Sequence, residues 1–176
     1  MGRGKAGHKP QPNVMGELCG YIVQGKSSLT AQGVAAALKA LSALHADASE
    51  RLSLRVIDPL HQLTYADVVK QLLQQLAAAL AGQWQHAELP NPFDPSLSQQ
   101  EQQQAMAKGS GARSDLTRAD TALASVVHMV QQQPKLGAAV EPGLVLDVML
   151  AFSPSALAQG HPAALVGMLA SAVKLG

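Results

Sequence analysis

The residues most able to do chemistry form the stretch Gly20-Tyr-Ile-Val-Gln-Gly25-Lys26-Ser27. It fits the phosphate-loop pattern G-x-x-x-x-G-K-[ST]. In that pattern backbone N–H groups cradle phosphates, the lysine reaches the outer phosphates and the hydroxyl holds magnesium. Gly20, Gly25, Lys26 and Ser27 are therefore candidate nucleotide-binding residues, and Leu54 to Asp58 could supply a strand with a metal-holding aspartate. The flanks oppose this use. A buried strand must precede the first glycine, yet Val14 to Cys19 includes Gly16 and Glu17. Tyr21, Ile22 and Val23 are bulky and apolar for a phosphate cradle, and they suit a helix face instead. The rest of the chain has almost no strands for a parallel sheet. A phosphate-loop nucleotide enzyme therefore stands last among the functional readings.

Other chemistry is sparse. His8, His45, His61, His86, His128 and His161 show no ligand spacing with a carboxylate on one helix, so no metal site is expected. Serine, histidine and aspartate occur without a nucleophile elbow or a catalytic cysteine context. The carboxylates fall mostly at helix caps. No catalytic residue and no cofactor is expected, and the chain reads as non-enzymatic. The single cysteine, Cys19, permits no internal disulfide and reads as a small buried apolar residue.

Charge narrows the partners. The formal net charge is +1 and only 14% of residues are charged, so no global pull toward nucleic acid or a membrane surface exists. Lys26, Lys39, Arg51, Arg55 and Lys70 are the candidates for local contact with an RNA backbone. No DNA partner is expected. No apolar run approaches the ~20 residues of a membrane span, so no membrane partner is expected either.

The elements that must position these residues read as helices. Hydrophobic residues make up 47% and aromatics 3%, so the interior must be built from Ala, Leu, Val and Met, which favours helix over sheet. Val14 to Gln24 predicts a first helix, ended by Gly25. Thr30 is placed to cap a second, with Val34, Leu38 and Leu41 on one face. Asp47 to Glu50, Thr64 to Asp67, Ser98 to Glu101 and Thr117 to Asp120 each have capping-box spacing. They predict a short helix through Leu54 and Ile57, a long one to about Trp84, a polar one over Gln99 to Lys108 that ends at Gly109-Ser-Gly111, and one that stops before Pro134. A helix from Pro142, whose alternation of Val145, Asp147 and Met149 with Leu144, Leu146 and Val148 also fits a strand, and a last helix over Pro162 to Leu175 complete the series, the last with Leu165, Leu169 and Val173 as its periodic stripe. Between Trp84 and Ser98 the prolines Pro90, Pro92 and Pro95 force a loop.

The stretch Leu29-Thr-Ala-Gln-Gly-Val-Ala-Ala-Ala-Leu-Lys-Ala-Leu-Ser-Ala-Leu44 resembles the repeat of the octotricopeptide-repeat proteins of green algae. His161 to Gly176 is similar to the same repeat, with its Lys-Leu-Gly ending, and Phe152 to Gln159 looks like a repeat opening cut short. Thr30 and Thr64 are separated by about one helix-pair repeat length. The resemblance implies helical hairpins that bind organellar RNA, in a chloroplast or mitochondrion, and act in its stability, processing or translation. Relatives of that kind also serve as structural parts of organellar ribosomes. Lys39, Leu73, Val126 and Ala170 stand where the family carries tryptophan, and its Pro-Pro-Glu-Trp stretch is absent.

Two expectations follow. The fold is all-α, an α-solenoid of about four helical hairpins over residues 14–176, with a Pro/Gln-rich insertion at about 87–115 and a flexible basic tail at 1–13. The function is a non-enzymatic binding module with RNA as partner, or else a structural subunit with protein partners.

Overall fold

The computed structural model describes residues 14–25, 28–45, 56–58, 63–138 and 140–176. The expected first tail and the Asp47 capping box lie outside the described residues. Among the described residues eight helices follow in chain order: α1 (Val14–Gly25), α2 (Ala31–His45), α3 (Tyr65–Trp84), α4 (Gln99–Gln132), α5 (Pro134–Gly137), α6 (Pro142–Leu150), α7 (Pro154–Ala158) and α8 (Pro162–Leu175). Two short strands, β1 (Val56–Asp58) and β2 (Leu63–Thr64), pair antiparallel. Among the described residues the fold is all-α apart from this pair. Ile57, expected in a helix, lies in β1 instead. Val56 and Ile57 are β-branched and suit an extended ladder.

Helices α2 and α3 follow the sequence closely. Thr30 caps α2 by accepting a hydrogen bond from the Gly33 N–H at 3.3 Å. Val34, Leu38 and Leu41 are buried on its inner face. Thr64 caps α3 in a closed box: the Asp67 N–H donates to the Thr64 hydroxyl oxygen at 3.3 Å, and the Thr64 N–H donates to the Asp67 carboxylate at 2.8 Å. Val68, Val69, Leu72 and Leu76 are buried behind it.

The expected break at Gly109-Ser-Gly111 is absent. Gln99 to Gln132 is one helix of 34 residues, about 50 Å long at 1.5 Å per residue. Ser98 opens it with its capping box to Glu101. Thr117, expected as a further cap, sits in mid-helix. Its hydroxyl donates to the Arg113 carbonyl at 3.0 Å, and Ser114, Thr121 and Ser125 likewise donate to the carbonyl four residues back. These hydroxyls, which elsewhere compete for caps, are absorbed along the helix wall. The glycines, which cost about 1 kcal/mol each in a helix interior, lie against partners. An added Cβ on Gly111 would meet the Trp84 ring at 3.3 Å. The Gln-rich half of the expected insertion is therefore ordered helix, and only residues 85–98 form the loop.

Helix α4 is the hub. Its most extensive contacts are with α2 and α8, and α3 packs mainly on α6. These pairings skip neighbours in chain order, so a stack of consecutive hairpins does not describe the dominant packing. Leu116, Ala119, Ala122, Leu123, Val126 and Met129 form the buried stripe of α4. The carboxylate of Asp67 is held below the ordinary range by the Thr64 side-chain and backbone hydrogen bonds. A lowered folded value means that the box stabilises α3 above the unfolded carboxyl value of about 3.9, and that this support fades as pH falls through the lower folded value. Thr64→Ala should cost about 1 kcal/mol in a denaturant titration at neutral pH, and the difference from wild type should shrink in acid.

Candidate functional site

Gly20 and Gly25 lie inside α1, and the strand that a phosphate loop must follow is itself part of that helix. Interior helix N–H groups are committed to carbonyls four residues back and cannot cradle a phosphate. Ile22 and Cys19 point into the core, and Tyr21 points out. Burial pushes the Cys19 thiol up to about 11, so it is not a ready nucleophile. Lys26 and Ser27 lie outside the described residues, as do Arg51 and Arg55. Lys39 is exposed on α2. Lys70 is engaged in an ion pair with Glu141, at the start of α6. The described chain thus uses one of the RNA-contact candidates internally.

Two polar clusters were not legible beforehand. Trp84 donates its indole N–H to Asp115 at 2.8 Å, and Arg118 bonds the other oxygen of that buried carboxylate at 2.5 Å. Arg118 also reaches Gln32 of α2 at 3.3 Å. This cluster ties α3, α4 and α2 together. The second pins the proline loop. Ser153 and Ser155 donate their hydroxyls to the Ala87 carbonyl at 2.6 and 2.8 Å. Gln159 reaches the Leu89 and Pro90 carbonyls. The shortened repeat opening Phe152 to Gln159 therefore folds as α7 and acts as a clasp. Beside it lies an open cleft of about 260 Å³ lined by Leu89, Asn91, Pro92, Ser155, Ala158 and Gln159.

A serine–histidine pair also forms: the Ser42 hydroxyl and His128 Nδ1 are 3.0 Å apart between α2 and α4. The hydroxyl belongs to a buried residue, and no carboxylate among the described residues bonds to His128. The pair joins α2 to α4. Among the described residues no group of three His, Cys, Asp or Glu is placed to hold a metal ion. None of the described helices is long and apolar enough to cross a membrane.

The feature that stands out is on α6 and α8. Helix α8 buries Ala164, Met168 and Ser171. Leu169 and Val173, expected as inward members of its stripe, face solvent. The reason is close packing: at Gly167 an added Cβ would run into the Asp120 carboxylate of α4. Ala164, Gly167 and Ser171 let α8 approach α4 with Met168 filling the space between them, and the branched residues Val166, Leu169 and Val173 are turned outward. Asp120 itself has its carboxyl raised above the ordinary range by the desolvation this packing imposes. On α6 the buried side is Leu144, Val145 and Val148. That leaves Leu146, Leu150, Val166, Leu169 and Val173 exposed, from 53% at Leu146 to 84% at Val173. A second apolar projection is Phe93, 80% exposed, at the tip of a turn closed by Asn91.

No family model, curated protein or solved structure matches the chain.

The Trp84 cluster yields a clean test, because Trp84 is the sole tryptophan. Asp115→Ala leaves a buried indole N–H and Arg118 without their acceptor. It should cost about 2–4 kcal/mol, and the fluorescence emission of Trp84 should shift as its surroundings loosen.

Proposed function

We propose that the chain is a non-enzymatic helical module that docks on another protein through the outer face of α6 and α8. The observation that carries this reading is the set of five large aliphatic side chains standing in solvent on two adjacent helices. Together they present roughly 500 Å² of apolar area, near the top of what single-chain proteins usually expose. Covering that area is worth on the order of 10 kcal/mol before the costs of association are subtracted. A helix apolar all round is normally buried, and α8 carries one charged residue, Lys174. The resemblance to octotricopeptide repeats is compatible with a structural subunit of an organellar assembly such as a ribosome.

RNA binding in organellar gene expression is the other reading that the resemblance implies. Its support is the exposed Lys39, together with Lys26, Arg51 and Arg55 in the sequence. Lys70 counts against it through its bond to Glu141. A stack of hairpins is supported by the contacts of α2 with α3 and of α6 with α8, which join near neighbours in the chain.

A photo-crosslinking residue at Leu169, in cells that express the protein, should trap a polypeptide, and the same residue at exposed Ala124 should not. Purified protein should retain RNA no better than a neutral control. Salt-sensitive RNA retention that falls with Lys39→Ala, with no crosslink at Leu169, would overturn the docking reading, because phosphate contacts weaken steeply with salt.

A further inference from the structure

We infer that the partner on the α6/α8 face is a second copy of this chain, packed about a two-fold axis that runs along the helices. The inference rests on the docking reading of that face and names its occupant. Helices α6 and α8 are in contact, and the end of α8 meets the start of α6: the Cβ position at Gly176 lies 3.9 Å from Pro142. On this inference the two helices run antiparallel from that junction. Their outward residues therefore form one surface, with Val173 near the start of α6 and Val166 near its end.

Three properties of that surface fit a copy of itself. First, Val166, Leu169 and Val173 are spaced three and four apart, so they form one continuous aliphatic stripe along α8. The exposed residues beside them on α8, Ala163 and Ala170, are small and uncharged. Nothing there selects a differently charged partner or repels an identical one.

Second, charges lie at the two edges with opposite sign. By helix periodicity, Leu165 and Ala172 fall on one flank of the α8 stripe and Lys174 on the other. On α6, Met149 and Asp147 divide in the same way. Leu165, Ala172 and Met149 are partly buried, so their flanks face the α6–α8 seam and the two charges stand on the outer edges. At 1.5 Å per residue, Lys174 and Asp147 lie about 3 and 8 Å from the Gly176–Pro142 junction. A two-fold axis along the helices carries each Lys174 across to the other copy's Asp147, offset by about 5 Å in height, which the long lysine side chain can span.

Third, the area suffices. Roughly 500 Å² from each copy, before any rim is counted, reaches the ~1,000 Å² total that a specific interface needs.

Sedimentation analysis of the purified chain from about 1 to 100 μM tests this. The mass should rise from 18.3 kDa toward twice that value with concentration. Leu169→Glu with Val173→Glu should raise the dimer Kd by more than about 100-fold, since like charges are then brought together in an apolar contact. Its helical circular dichroism should be unchanged, because both positions are exposed. Lys174→Asp should weaken the dimer, and adding Asp147→Lys should restore it. A mass of 18.3 kDa at every concentration overturns the inference, as does a dimer that the Leu169/Val173 double variant leaves intact. If that monomer still crosslinks to a different polypeptide from Leu169, the docking reading survives with another occupant. If it crosslinks to nothing, both fail.

Discussion

Close approach of helices along α4 is the constraint on which the rest of the structure depends. With few aromatics to fill space, the interior must be closed by bringing backbones together. Ala112, Ala119 and Ala122 on α4, and Ala164, Gly167 and Ser171 on α8, are the residues that permit it. Leu116, Leu123, Val126 and Met129 then fill the spaces between α4, α2 and α3. Interiors of this kind gain from many short dispersion contacts, and a single misplaced methyl group is felt.

The buried polar groups join helices to one another. The Trp84–Asp115–Arg118 cluster sits where α3, α4 and α2 converge. Its carboxylate has partners on both oxygens, so a charge that would be costly alone is compensated. Tyr65 is fully buried, with its hydroxyl 2.9 Å from the Met129 sulfur, and burial raises its ionisation well beyond the usual range. The α7 clasp does similar work for the proline loop. Carbonyls at Ala87, Leu89 and Pro90 cannot join a helix, and Ser153, Ser155 and Gln159 supply the donors they need.

Legibility varied by element for identifiable reasons. In α2 and α3, cap, stripe and length agreed, and local signals were sufficient. In α4 they conflicted. Gly109 and Gly111 signalled an end, and Thr117 signalled a start. The contacts of Gly109 with Gln159 and of Gly111 with Trp84, together with burial of the α4 stripe, outweighed both. The candidate site was only half visible. The outward residues of α8 were recognisable as an apolar stripe, but their direction was not. A helix with apolar residues on every side has no unique inner face until a neighbour selects one. The phosphate-loop pattern failed for the opposite reason: its glycines are compatible with helix, and α1 formed through them.

Composition, periodicity and capping residues by themselves determined that the chain is helical, where α2 and α3 begin, and that Pro90 to Pro95 interrupt it. These are local effects, set by backbone sterics and by side chains within a turn of each other. Tertiary structure alone decided that α4 runs unbroken, that its partners are α2 and α8, and that Leu169 and Val173 face outward. Each of those outcomes turns on which small residues allow two backbones to meet, a comparison between distant segments that no local pattern contains.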